Sequence, residues 1–308
     1  MNTHVASSNT GLSQDAQHVA QVRRVTGIGL AVNLILSALK FVGGVVGSSQ
    51  AVVADAVHSL SDSVTDVAIL VGVRYWSKPP DAEHPHGHRR IETLITTVIG
   101  VLLAGVALGL VFNAIVTLRD RHGGPPGWIA FAAAVISIVS KEILYRWTVR
   151  TGRRIKSTAV IANAWHHRSD GLSSIPVAAA VAGAALSPTW SFLDHVGALL
   201  VSLFILQASW RIAKPALGQL IDTGASDEER DEIEAIALAV DGVKLVHAIR
   251  TRYIGSGVQV DLHVKVDADM TVREGHDISE LVKQRLITDG PEVVDVVVHL
   301  EPYADQPP

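Results

Sequence analysis

Asp55-Ala56-Val57-His58-Ser59-Leu60-Ser61-Asp62 interrupts an apolar run from Ala51 to Trp76, and Asn163-Ala164-Trp165-His166-His167-Arg168-Ser169-Asp170 interrupts another from 159 to 186. Each octet carries a His and an Asp four residues apart, so in a helix the two share one face. Ionisable groups are costly inside a bilayer and mark function there. Asp55, His58, Asp62 and Asp66 continue the first pattern at spacings of 3, 4 and 4, a stripe about 80° wide. A seam that merely glues helices together is usually built from Ser, Thr or Asn. Two imidazoles and two carboxylates on facing helices offer a tetrahedral donor set for a divalent transition metal. His167 is turned about 100° from His166 and is the weaker candidate. Arg168 is expected to pair with an acid.

Working outward, six stretches are long and apolar enough to span a hydrocarbon core, which needs roughly 20 residues: 25–47, 51–76, 91–118, 128–149, 159–186 and 192–213. Charged residues make up 18% of the 308-residue chain, against about 25% in soluble domains. Pro176 is placed to kink the fifth stretch. Gly47-Ser48-Ser49-Gln50 is short enough to force the first two into a hairpin, and Gly123-Gly-Pro-Pro-Gly127 is a turn. One set of connections holds Arg23, Arg24, Arg74, Lys78, Arg89, Arg90, Arg146, Arg150, Arg153, Arg154, Lys156, Arg211 and Lys214, while the other holds Arg119 and Arg121. That asymmetry puts both termini in the cytosol. Lys40, inside the first stretch, is expected to snorkel to the interface. Residues 1–20 are polar and read as a disordered cytosolic tail, 21–214 as a six-helix membrane domain, and 215–308 as a cytosolic domain.

The pattern changes at Ser226. Ser226-Asp-Glu-Glu229 is a capping box ahead of Ile233, Ile236, Ala237 and Val240 on one helix face. A strand near 243–253 follows. Val258 to Val266 alternates strictly, apolar at even positions, as in a half-buried strand. Thr271-Val-Arg-Glu274 caps a second helix to about Thr288, and Val293 to Glu301 is a third strand. The order α-β-β-α-β describes a small α+β domain, short of core when alone, that would gain from pairing with a second copy.

Two further His groups stand out. Asp81-Ala-Glu83-His84-Pro85-His86-Gly87-His88 puts three imidazoles and two acids in one loop, and His is the commonest metal-ligand side chain. In the tail, His263 lies on the polar strand face, His299 and Glu301 share a face with Asp295 in line, and His247 and His276 complete the set. From periodicity alone these tail residues read as surface groups.

The absence of Cys excludes thiolate ligands and thiol catalysis, leaving His, Asp and Glu, which suit zinc, ferrous iron, cobalt or manganese. The net charge of −4 gives no support for nucleic-acid binding. No Gly-rich phosphate loop and no His-Glu-x-x-His motif is present, so neither an ATP-driven pump nor a zinc hydrolase is expected. The chain is not read as an enzyme.

These motifs, His58-Ser-Leu-Ser-Asp62, His166-His-Arg-Ser-Asp170, Asp81…His84…His88 and the α-β-β-α-β tail, resemble the cation diffusion facilitator family over nearly the whole chain. The resemblance is to its bacterial zinc and ferrous-iron exporters. It implies a transport site of His58, Asp62, His166 and Asp170; a loop site of Asp81, His84 and His88; and a tail site of His247, His263, His276, His299 and Glu301. It further implies an Arg90–Asp222 ion pair, a homodimer joined through the tail domain, and efflux of Zn2+, with Fe2+, Cd2+ or Co2+ as alternatives, in exchange for protons. Zn2+ is then both cargo and regulator. A bacterial inner membrane is the expected location. An iron transporter serving an internal compartment and a membrane-anchored metal sensor or scaffold are the competing readings.

Overall fold

The computed structural model describes residues 4–120, 125–154 and 157–303, without the side chains of 4–23, 66, 69–70, 119–120 and 158–159. Asp66, the turn at 123–124 and the basic residues Arg23, Arg119, Arg121 and Lys156 therefore lie outside the described residues. The chain forms two compact units. One comprises residues 1–69 and 101–210, the other 70–100 and 211–308.

The first unit is helical. It is built from α1 (His4–Val46), α2 (Gln50–Trp76, to residue 69), α3 (Arg90–Asp120, from residue 101), α4 (Trp128–Arg154), α5 (Thr158–Ser173), α6 (Ile175–Leu186) and α7 (Phe192–Leu220, to residue 210). The helix of α1 begins at His4, not after residue 20. Residues 4–20, read from the sequence as part of a disordered tail, carry helical backbone; they contain no Pro and one Gly, so nothing in their backbone chemistry stops a helix. Five helical segments among the described residues are long and apolar enough to cross a membrane: Arg24–Val46, Arg90–Leu118, Trp128–Arg154, Val160–Leu186 and Pro188–Leu220. The 27 residues of α2 reach about 40 Å, so the helix is long enough. It includes residues 66, 69 and 70, whose side chains lie outside the described residues, and it is not among these five.

Small residues let these helices approach closely. A side chain at Gly43 would meet Ala133 Cβ at 2.5 Å, and one at Gly47 would meet Ala130 Cβ at 2.7 Å. Ala51, Val52 and Ala54 of α2 pack in one buried cluster with Ala130 and Ala134 of α4, Val177 and Val181 of α6, and Val201 and Ile205 of α7. Asp194 fixes the start of α2, accepting from Gln50 N (2.7 Å) and Ser49 Oγ (2.5 Å); a carboxylate there meets unpaired N–H groups and the positive helix end. The fifth stretch does not merely kink. It breaks at Ser174 into α5 and α6, with Pro176 in the first turn of α6. Proline has no N–H to bond back one turn, and Ser174 Oγ turns to Asp170 O (3.2 Å) and Asp55 Oδ1 (2.9 Å).

In the second unit the tail runs α8 (Asp227–Leu238), β1 (Leu245–Ile254), β2 (Gly257–Asp267), α9 (Val272–Asp289) and β3 (Val293–Tyr303), the order read from the sequence. Both capping boxes form, at Ser226/Glu229 and Thr271/Glu274. The sheet order is β1-β2-β3, with β1 antiparallel and β3 parallel to β2. Alternation along β2 buries Val258, Val260, Leu262, Val264 and Val266 against Ile233 and Ala237 of α8 and Val282 and Leu286 of α9. The odd positions face the other way. Leu262 is 1% exposed, and Leu262→Ala is expected to destabilise this domain by about 2–5 kcal/mol, read as a lowered unfolding midpoint of the full chain. A shift no larger than that of Leu281→Ala, which removes an exposed leucine, would contradict this core.

Candidate metal centre

Among the described residues three groups of His and carboxylate atoms converge, each with its ligand atoms within 4.8 Å of one another. In the helical unit the group is Asp62 of α2 with His166 and Asp170 of α5. His166 Nδ1 is 3.7 Å from Asp170 Oδ1. The Asp170 side chain is 9% exposed, but that of His166 is 49% exposed within the single chain. His58, one turn before Asp62, is half-buried and stands outside this close group. His58 and Asp62 share a helix face at the same four-residue spacing that brings His166 and Asp170 together. His167, expected to point away, is buried, with its Nε2 3.4 Å from Asn163 Nδ2 and its Nδ1 unpartnered. A Cβ at Gly29 of α1 would meet that ring at 2.9 Å, so glycine there makes room for it. Arg168 lies 3.6 Å from Glu142 and stacks on Tyr145 and Trp165.

The sequence reading missed Lys141. Its side chain is 1% exposed, and its Nζ lies 3.2 Å from Asp170 Oδ2 and 3.4 Å from Ser59 Oγ. A lysine in the middle of the fourth apolar stretch was the available signal, because an intramembrane charge needs a partner. Lys40 is a correction. Rather than snorkelling, it is fully buried, donating to Asp55 Oδ2 (3.0 Å), Asp55 O (3.1 Å) and Ser59 Oγ (2.6 Å). Three acceptors inside the bundle outbid a distant interface for its ammonium.

In the second unit, Asp81 Oδ1 is 3.4 Å from His84 Nδ1 and Asp81 Oδ2 is 3.3 Å from His88 Nε2. Gly87, at φ +80°, turns the chain so that its N–H reaches His84 O (2.9 Å), a backbone state that Gly adopts at little cost. The Asp81 carboxyl is held below the ordinary carboxylate range, first by the His84 backbone N–H and further by His88 and the Glu83 N–H. Glu83 and His86 stay outside the close group.

On the tail sheet, register does the assembling. His247 pairs with His263, and His263 with His299, making a row across three strands. Glu301 Oε1 is 2.7 Å from His263 Nδ1 and 3.8 Å from His299 Nε2, and Glu301 Oε2 is 2.9 Å from His247 Nε2. The bonds from His263, then His247, lower the Glu301 pKa from its usual value. The close group is His247, His263 and Glu301, with the His299 ring 4.6 Å from that of His263. His276 is not brought in. It is exposed on α9, and α9 covers the apolar face of the sheet, opposite the His row. Asp295 instead pairs with Lys283 at 3.1 Å. The Arg90–Asp222 ion pair forms, at 2.9 Å within one chain.

Comparison with known proteins identifies the family. The cation efflux transmembrane domain family matches residues 27–221, and the cytoplasmic domain of cation efflux proteins, a dimerisation module, matches 225–303. The manganese efflux system protein MneP of Bacillus subtilis is 33% identical over 291 residues, covering 92% of this chain and 97% of its own. The magnetosome protein MamM of Paramagnetospirillum magneticum is 32% identical over 263 residues, covering 85% of this chain and 82% of its own. A solved C-terminal domain of MamM is 27% identical over 25% of this chain and 98% of that one, with a TM-score of 0.25. A multi-pass helical membrane region followed by a small three-stranded α/β domain, matched along both parts, leaves one conclusion: the chain belongs to the cation diffusion facilitator family of divalent metal transporters and is not an enzyme.

Proposed function

We propose that this protein exports a first-row divalent cation from the cytosol in exchange for protons, through a site made by His58, Asp62, His166 and Asp170. The observation that carries the reading is the convergence of Asp62, His166 and Asp170 inside the helical unit. In this reading α2 is the sixth span, residues 21–214 form the transport domain, both termini lie in the cytosol of a bacterial cell, and residues 215–308 join two copies. Metal needs neutral imidazoles and ionised carboxylates. Protons entering from the acidic side therefore displace it, and cytosolic metal displaces protons. Alternating exposure of a midplane site does the rest.

Zn2+ is the first choice of cargo, because two imidazoles with two carboxylates make its tetrahedral set. Mn2+ is the second reading. The close group is oxygen-rich, two carboxylates to one imidazole, oxygen donors suit manganese, and MneP is named for manganese efflux. The Asp81 loop and the His247–His263–Glu301 row would hold regulatory cations.

Uptake into proteoliposomes under an imposed pH gradient tests this, with Zn2+, Mn2+, Fe2+, Cd2+ and Co2+ offered in turn. Gradient-driven Zn2+ uptake, with His58→Asp widening acceptance towards Cd2+ and Mn2+, is the expected result. Mn2+ preferred by the wild type would favour the second reading. No uptake of any ion, with the tail still binding metal and losing it in His263→Ala, would favour a sensor or scaffold.

A further inference from the structure

Asp170 is held by a cation that the protein itself supplies. Lys141 projects from α4 into the bundle, and Asp170 is the one carboxylate within 4 Å of its Nζ among the described residues. The other Asp170 oxygen faces His166, so one carboxylate serves the ammonium with one oxygen and the candidate cargo site with the other. The second partner of Lys141 is Ser59 Oγ at 3.4 Å, and that hydroxyl is taken at 2.6 Å by Lys40. Lys40 is in turn tied to Asp55 at 3.0 Å. Two buried ammonium groups thus meet at one serine hydroxyl, each paired with its own carboxylate.

We propose that Lys141 is the built-in counter-cation of the empty transport site: its ammonium neutralises Asp170 until a divalent cation displaces it, and this competition sets the affinity and the valence selectivity for cargo. The proposal rests on the reading that Asp62, His166 and Asp170 hold the cargo. A dication gains roughly twice the Coulomb attraction of an ammonium at the same distance, so it can win Asp170. Na+ or K+ brings no more charge than the ammonium it would have to remove. Once displaced, Lys141 keeps Ser59 as its other side-chain partner among the described residues, and Lys40, bonded to the same hydroxyl, repels it. The loaded site therefore keeps an unneutralised positive charge close to the metal, which weakens binding and helps the ion to leave. Lys141 touches Asp170 rather than cargo, and is a positioning and selectivity residue.

The test is initial-rate uptake of the preferred dication by the full-length protein in proteoliposomes, at constant ionic strength, with and without Na+ replacing choline. Wild type is compared with Lys141→Gln, Lys141→Met and Lys141→Arg. Losing a neighbouring positive charge is expected to lower KM in the Gln and Met variants by about tenfold or more, to lower the maximal rate, and to make uptake sensitive to Na+. Lys141→Arg is expected to keep the wild-type KM and Na+ insensitivity. A merely structural role would lower yield without lowering KM. An unchanged or raised KM in whichever of the Gln and Met variants folds overturns the proposal alone, as does Na+ competition in the wild type, which needs no variant. A wild type that moves no metal overturns the transport reading and this proposal with it.

Discussion

Asp62→Asn is expected to abolish metal uptake in a folded protein, whereas Asp170→Ala is expected to abolish uptake and destabilise the fold. The two carboxylates look equivalent on paper, each four residues from a His. Their surroundings differ. Among the described residues Asp62 makes no ion pair with a basic side chain, while Asp170 holds the buried Lys141 ammonium at 3.2 Å. Removing Asp62 takes away one charged ligand atom and should cut uptake by about a hundredfold or more. Removing Asp170 does this and strands a charge, and breaking one side of a buried pair costs about 3–5 kcal/mol. Adding Lys141→Met to Asp170→Ala should restore most of that stability and none of the transport. Unfolding midpoints in detergent together with uptake rates separate the two effects. Equal stability of Asp170→Ala and Asp62→Asn would mean that the Lys141 pair is absent from the working protein.

The second large effect concerns Lys40 and Asp55, whose side chains are 0% and 2% exposed. Lys40→Met alone leaves Asp55 with Ser174 Oγ as its remaining side-chain partner and should cost about 3–5 kcal/mol. Lys40→Met combined with Asp55→Leu removes both charges, and a buried pair replaced by apolar groups is often near neutral. The double variant should therefore recover at least half of the single loss, a coupling that a thermodynamic cycle measures directly. Arg90 and Asp222 provide the contrast. They are equally close, at 2.9 Å, but both are about half exposed, and exposed pairs contribute about 0–1 kcal/mol. Additive losses at Lys40 and Asp55 would show that each side chain finds separate solvation in the bundle.

Much of this molecule could be read directly from its residues. Five of the apolar stretches coincide with helices long and apolar enough to cross a membrane among the described residues, because a hydrocarbon core asks for roughly 20 apolar residues in one helix. The strict alternation of 258–266 located β2 and placed His263 opposite the core, because a strand has a period of two. The His and Asp spacing of four put Asp62 and Asp170 on defined helix faces, for the corresponding reason. All of these are properties of one element at a time.

What only the tertiary structure decided is which faces meet. Sheet register brought His247, His263 and Glu301 together and left His276 across the domain on α9. Docking of α4 on α5 set Lys141 against Asp170, and docking of α1 on α2 turned Lys40 inward to Asp55. A lysine in an apolar helix carries no mark of where its ammonium goes, since that depends on an acceptor supplied from a distant part of the chain. Sequence periodicity thus determined the sidedness of each helix and strand, while the pairing of those sides, and with it the cation already waiting at the candidate metal site, came from packing.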